Sequence, residues 1–118
     1  MPLRPPRSIR RDEMKDYRRI AEDFARHLKA KYGERIERII LFGSVARDRY
    51  REDSDIDLII VGRGDRLALQ DEIAGDSVRF LLETGVLVSA MVFSPEEMSR
   101  IRDTMFGRAV AEEGLAVG

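Results

Sequence analysis

Two short apolar runs, each with a polar signature at one end, constrain this chain more than any other feature. The first is Ile39-Ile40-Leu41-Phe42, which stops at Gly43-Ser44. The second, Ile56 with Leu58-Ile59-Ile60-Val61, is entered through Asp55 and interrupted once by Asp57. Runs of this length, rich in β-branched residues and bounded by turn residues, read as strands, and the unbroken apolar character of the first says that both of its faces are buried. Buried strands need cover, so the rest of the chain has to supply helices.

It does so in order. Tyr17, Ile20, Ala21, Phe24, Leu28 and Tyr32 recur at helical spacing ahead of the first strand, and Gly33 suits the left-handed position just past a helix end. Pro2, Pro5 and Pro6 keep the first residues extended, and Ser8 or Asp12 is placed to cap that helix. A short helical turn is expected at 45–48 and a polar loop at 49–54. A longer helix is predicted over 65–83, with Leu67, Leu69, Ile73, Phe80 and Leu81 as core candidates and Gly75 as its weak point, costing about 1 kcal/mol relative to Ala. Gly85 precedes a third strand over 86–93, in which Met91 and Phe93 read as core packing. Ser94-Pro95-Glu96-Glu97 joins a capping residue, a proline at the first helical position and a glutamate at the third, and predicts a final helix to about 108. The order α-β-α-β-α-β-α gives an α/β (α+β) fold: a small, mixed, three-stranded sheet, at least partly parallel, with helices packed against it. A single domain is expected over 1–118, with 1–8 a flexible N-terminal arm.

Length and charge narrow the function. With 118 residues the chain can build one core but not a catalytic domain plus a separate substrate-holding domain, so a large substrate has to be held in part by a partner. Charged residues make up 36%, yet they cancel to a net of -1, which leaves no strong field to steer a polyanion and disfavours nucleic acid as a direct substrate. Residues 1–19 are locally basic, a pattern that suits a solvated arm leading into a charged helix or a contact with RNA or an acidic partner surface. No apolar stretch approaches the roughly 20 residues of a membrane span. There are no cysteines and no apolar segment following the N-terminal charges, so a cytoplasmic location without a membrane partner is expected. His27 has no second His or Cys at metal-ligand spacing and reads as a surface or boundary histidine.

The chemistry lies at the ends of the two runs. Gly43-Ser44, after a buried strand and before a helical turn, presents backbone N–H groups and a hydroxyl at the positive end of that turn, a geometry that binds phosphate. Alone it is also an ordinary turn and N-cap. Asp55 and Asp57 open the second strand with one residue between them, so strand alternation sets both carboxylates on one face and Ile56, Leu58 and Ile60 on the other. Two hard oxygen donors at one strand end suit Mg²⁺, which accepts one or two carboxylates together with waters and substrate phosphate oxygens. The plainer alternative makes Asp53-Ser54-Asp55 a turn and Asp57 a solvated strand residue. Against it, a like-charged pair flanked by Ile56, Leu58 and Ile59 is costly to hold near a core without a cation. Taken together, the two signatures would let a triphosphate bridge them, with Ser44 on its distal phosphates and Mg²⁺ near its α-phosphate.

The stretch Leu41-Phe42-Gly43-Ser44-Val45-Ala46-Arg47, followed by Ser54-Asp55-Ile56-Asp57-Leu58, resembles the signature of the polymerase-beta-type nucleotidyltransferase superfamily, in its minimal nucleotidyltransferase branch. The resemblance covers about 36–115 in the order and kind of elements, and its specific motif lies within 41–61. It implies a polymerase-beta-like palm that transfers a nucleoside monophosphate, AMP from Mg-ATP, to an acceptor hydroxyl and releases pyrophosphate. It implies that Gly43 and Ser44 hold the β- and γ-phosphates and that Asp55 and Asp57 ligate the catalytic Mg²⁺ ions, which stabilise the attacking and leaving oxygens. Arg47 matches an arginine of the motif, either near the nucleotide or in an ion pair bracing the turn. Members are often antitoxins paired with a small all-helical HEPN ribonuclease toxin, and some adenylylate a toxin tyrosine; a homo-oligomer is compatible with this reading.

Two positions depart from the family pattern. Asp48 stands where glycine is common, a change in turn chemistry. The strand over 86–93 contains no acid, and Ser89 takes the place of a third carboxylate that completes the metal site and can accept the proton of the attacking hydroxyl. That loss threatens rate more than nucleotide binding. Two functions follow: an active protein adenylyltransferase, or a catalytically weakened, nucleotide-binding antitoxin that neutralises its partner by complex formation.

Overall fold

The computed structural model describes residues 16–46 and 55–118. Helix α1, Asp16–Tyr32, ends where Gly33 adopts φ 57, and a 3₁₀ turn over Gly33–Arg35 leads into strand β1, Ile36–Phe42. A single helical turn, α2, spans Gly43–Ala46, and strand β2 spans Ile56–Gly62. Helix α3, Arg66–Thr84, is followed by β3, Val88–Phe93, then α4, Pro95–Ile101, α5, Met105–Glu113, and a two-residue strand β4, Leu115–Ala116. The proline segment, the proposed caps Ser8 and Asp12, Arg47, Asp48 and the loop at 49–54 lie outside the described residues.

The sheet is mixed, with strand order β3-β2-β1-β4; β2 and β3 run parallel and the other neighbours antiparallel. It has four strands rather than the three expected, because Leu115 and Ala116 return to pair with Leu41 and Ile40. β1 and β2 are antiparallel, since the segment joining them is too short for the helical crossover that a parallel pair requires. The longer α3 provides that crossover between β2 and β3.

Strand alternation divides the sheet into two unequal faces. Ile39, Leu41, Ile56, Leu58, Ile60, Val88 and Val92 join Phe24 and Leu28 of α1 and Leu69 and Ile73 of α3 in the main core. Each fully buried Leu or Ile contributes roughly 1.5–3 kcal/mol relative to exposure. The opposite face carries a smaller cluster, Ile40 and Ile59 with Val110 of α5, bordered by Phe42, Phe93 and Met98. Phe106 meets Phe42 edge-on, ring centroids 5.9 Å apart, and closes that cluster on the β2 side.

Helix α3 starts with Asp65 accepting a hydrogen bond from the Ala68 N–H at 3.1 Å and stops at Gly85 with φ 76. Its inward arc holds Leu69, Ile73, Asp76 and Ser77, so Leu67 and Leu81, expected in the core, instead face outward. Gln70 reaches the free edge of β3, donating to the Ala90 carbonyl at 2.8 Å and accepting from the Val92 N–H at 2.9 Å. Its carboxamide thereby takes the place of a neighbouring strand on that edge. Met91, expected as core packing, is exposed because it points to the thinly covered face; Phe93, on the same face, is half-buried beside Phe106.

The capping box at Ser94 is present, with Ser94 accepting from the Glu97 N–H and Glu97 accepting from the Ser94 N–H. The helix it begins is shorter than expected. Thr104 caps a second start by accepting from the Gly107 N–H at 3.1 Å, which splits the final helix into α4 and α5. A side chain at Gly107 would overlap the Ile101 carbonyl, so only glycine permits this elbow.

Candidate active site

The site forms where β1 ends and β2 begins. Antiparallel register sets Phe42 opposite Asp57, so the Gly43-Ser44 turn leaves β1 beside that carboxylate. Gly43 has φ 79, in the left-handed region, and a Cβ there would overlap Oδ2 of Asp57 and lie 3.2 Å from its Cγ. Glycine is therefore required twice, for backbone conformation and for the approach of the carboxylate. Ser44 follows, half-buried, within α2. Arg18 of α1 supports the turn from its far end, Nη2 donating to the carbonyls of Val45 and Ala46 at 3.4 Å each.

Asp55 is exposed and precedes β2; Asp57 is half-buried within it. Ile56 is fully buried in the main core, so Asp57, next along β2, belongs to the opposite, more open face. The Ile56 N–H donates to the Leu87 carbonyl at 2.9 Å, which fixes the chain as it enters the sheet. The Asp57 carboxylate and the Gly43-Ser44 turn thus meet at one end of the sheet, with Asp55 two positions before Asp57 in the chain. Arg47, the remaining nucleotide-binding candidate, lies outside the described residues.

On the other side of β2, parallel register pairs Asp57 with Ser89 of β3, and Ser89 is exposed. Among the described residues no group of three or more His, Cys, Asp or Glu is arranged to hold a metal. The donor set of Asp55 and Asp57 nonetheless fits Mg²⁺, whose other positions are commonly filled by water and phosphate oxygens. Farther along the same face, a cavity of about 370 Å³ lies among Arg38, Ile40, Val61, Met98, Arg102 and Val110. Neither aspartate lines it, and Ile40, Met98 and Val110 of the smaller core cluster form part of its wall.

A second polar centre, not foreseen from the sequence, ties α1 to α3. Asp76 is 2% exposed and accepts from Lys31 Nζ at 2.8 Å, from the Tyr32 hydroxyl, and pairs with His27 Nε2 at 3.2 Å. Burial alone would push this carboxyl up, but the hydrogen bonds from Lys31, Tyr32 and His27 outweigh it and hold the group below its ordinary value. The hydrogen bond to Asp76 raises Lys31, while burial and then Asp76 raise Tyr32. His27 is a boundary residue, as expected, and its position is fixed by this buried partner. The signal was an acid one helical turn beyond Ile73, on the core-facing arc of α3.

Comparison with known proteins identifies the family. The nucleotidyltransferase domain family matches residues 19–111. Among curated proteins, the chain is 43% identical over 93 residues to "Putative protein adenylyltransferase MJ0604" of Methanocaldococcus jannaschii, covering 79% of this chain and 89% of that protein. It is 32% identical over 75 residues to "Putative protein adenylyltransferase MJ0141" of the same organism, covering 63% and 76% respectively. Among solved structures, "a putative nucleotidyltransferase from Sulfolobus solfataricus" superposes with a TM-score of 0.51 at 19% identity, over 89% of this chain and 82% of that one. A toxin-antitoxin structure with AMP-PNP superposes with a TM-score of 0.50 at 20% identity, over 80% and 70%. The family match spans most of the chain and the 43% identity covers 79% of it: this chain belongs to the nucleotidyltransferase domain family.

Proposed function

We propose that this protein transfers a nucleoside monophosphate, AMP from ATP, to a hydroxyl group of a partner protein. The observation that carries the reading is the seat of the Asp57 carboxylate against Gly43, which brings an acid and a phosphate-type turn to one point of the sheet. In this reading Gly43 and Ser44 bind the β- and γ-phosphates, and Asp55 and Asp57 hold Mg²⁺. The cation, when bound, supplies charge neutralisation at the reacting phosphate. The chain's own residues fix the triphosphate in line with the incoming oxygen, which accounts for most of the rate in phosphoryl transfer. The acceptor oxygen bonds to the α-phosphorus, the bond from that phosphorus to the β-phosphate oxygen breaks, pyrophosphate leaves, and the acceptor proton passes to water. Arg47 is assigned to the same nucleotide or to bracing the turn.

The partner suggested by the family is a small helical HEPN-type toxin, with this chain as antitoxin. The adenylyltransferase names of its relatives and the likeness in fold to a toxin-antitoxin structure support that choice. A second reading rests on Ser89, which pairs with Asp57 across β2 and β3 and which the family resemblance sets in place of a third acid: a nucleotide-binding antitoxin that silences its partner by occlusion. The test is transfer of α-labelled ATP to a co-expressed helical partner in Mg²⁺, with wild type, Asp55→Asn and Asp57→Asn compared. Label on the partner with wild type only supports the enzyme. Equal label with all three removes the enzyme reading, and full neutralisation by the double Asn variant without label supports occlusion.

A further inference from the structure

We infer that the solvent-facing side of α3 is a dimerisation surface for a second copy of this chain. A helix that covers a core with one side is normally polar on the other. On α3, opposite the buried Leu69, Ile73 and Asp76, the outward side carries Leu67, Val78 and Leu82 at 65%, 56% and 81% exposure, with Ala74 and Gly75 between them. Among the described residues nothing covers this stripe.

Gly75 is the second observation. Mid-helix glycine costs about 1 kcal/mol relative to alanine. The chain's own packing does not call for it, because a Cβ at Gly75 would meet nothing within 4 Å and its φ is not positive. A glycine kept at an exposed crossing point lets another helix approach closely.

The pattern along α3 selects the occupant. A two-fold axis between Ala74 and Gly75, with helices antiparallel, sets Leu67 level with Leu82 of the other copy and Ala74 level with its Gly75. It also sets Asp71 level with Val78 of the other copy and one position from its Arg79, whose longer side chain can reach the carboxylate, twice by symmetry. Neither Asp71 nor Arg79 has an ion-pair partner among the described residues, and eight positions apart on one helix they cannot reach each other. The stripe is thus complementary to itself in size, with an Arg79 of the other copy one position from each Asp71. α3 lies on the main-core side of the sheet while Asp57 lies on the other, so the two candidate sites of a dimer remain open.

Sedimentation velocity of the full chain over a concentration series tests this, with circular dichroism confirming that each variant is folded. The wild type is expected to approach twice its 13.5 kDa mass. Asp71→Arg and Arg79→Asp should each shift it to monomer, the double exchange should restore the dimer, and Gly75→Leu should weaken association at least about tenfold. A wild type that stays monomeric, or a dimer indifferent to both single reversals, overturns the proposal. So does a monomer whose Leu82→Glu form loses binding to a helical partner, which would assign the face to that partner.

Discussion

Asp57 and Ser89 occupy directly paired positions on the parallel strands β2 and β3, so whatever stands at 89 adjoins the half-buried carboxylate. In the proposed function, position 89 is the place from which a third acid would act. Ser89→Asp is expected to raise the rate of nucleotide transfer by on the order of 10²-fold, the lower end of what a positioned general base supplies. Single-turnover transfer of labelled ATP measures it. No change in rate would mean that the side chain at 89 does not reach the reacting groups.

Gly43→Ala should cost stability and function together. The substitution strains a left-handed residue, about 1–3 kcal/mol, and forces the new methyl onto the Asp57 carboxylate. Thermal unfolding should show a lowered Tm, and transfer should fall even at temperatures where the variant is folded. A stable variant with full activity would contradict the proposed contact.

The Asp76 network predicts a pH dependence of stability that is separate from the site. Its carboxyl lies below its ordinary value when folded, so its contribution is fully present above the unfolded value of about 3.9 and is lost as pH falls through the folded one. Lys31 is raised, so its share is present below the unfolded value and is lost as pH rises through the folded one. Asp76→Asn is expected to destabilise by about 1.5–3 kcal/mol near neutrality, the size of a hydrogen bond to a charged group. It should also flatten the acid limb of the denaturation profile. A variant with the same acid limb as wild type would show that the network does not set it.

Helix and strand were readable wherever local pattern decides them: Tyr17 to Tyr32 by period, Gly33 and Gly85 as stops, Ser94 as a cap. The seat of Asp57 on the Gly43 turn was readable too, because alternation and register follow from chain order. Features that rest on distant pairing were not. β4 is two residues long and exists only through Ile40 and Leu41. The break at Thr104 had a cap signal that the helical period of the surrounding residues outweighed. Leu67 and Leu81 were misplaced because α3 is apolar on its outer side as well as its inner one, so period alone could not say which arc faces the core. Asp76 is a core position on α3 whose partners lie far away on α1, at His27, Lys31 and Tyr32.

Among the described residues no helix is long and apolar enough to cross a membrane, and none of the mechanism calls for one. The most direct test of the account is calorimetric titration of the full chain with an ATP analogue that resists cleavage between its α- and β-phosphates, with and without Mg²⁺. Saturable, Mg²⁺-dependent binding is expected for wild type, weakened about tenfold or more in Asp57→Asn, as for loss of a charged contact. Equal affinity in wild type and in the Asp55→Asn, Asp57→Asn double variant, or binding indifferent to Mg²⁺, would contradict it.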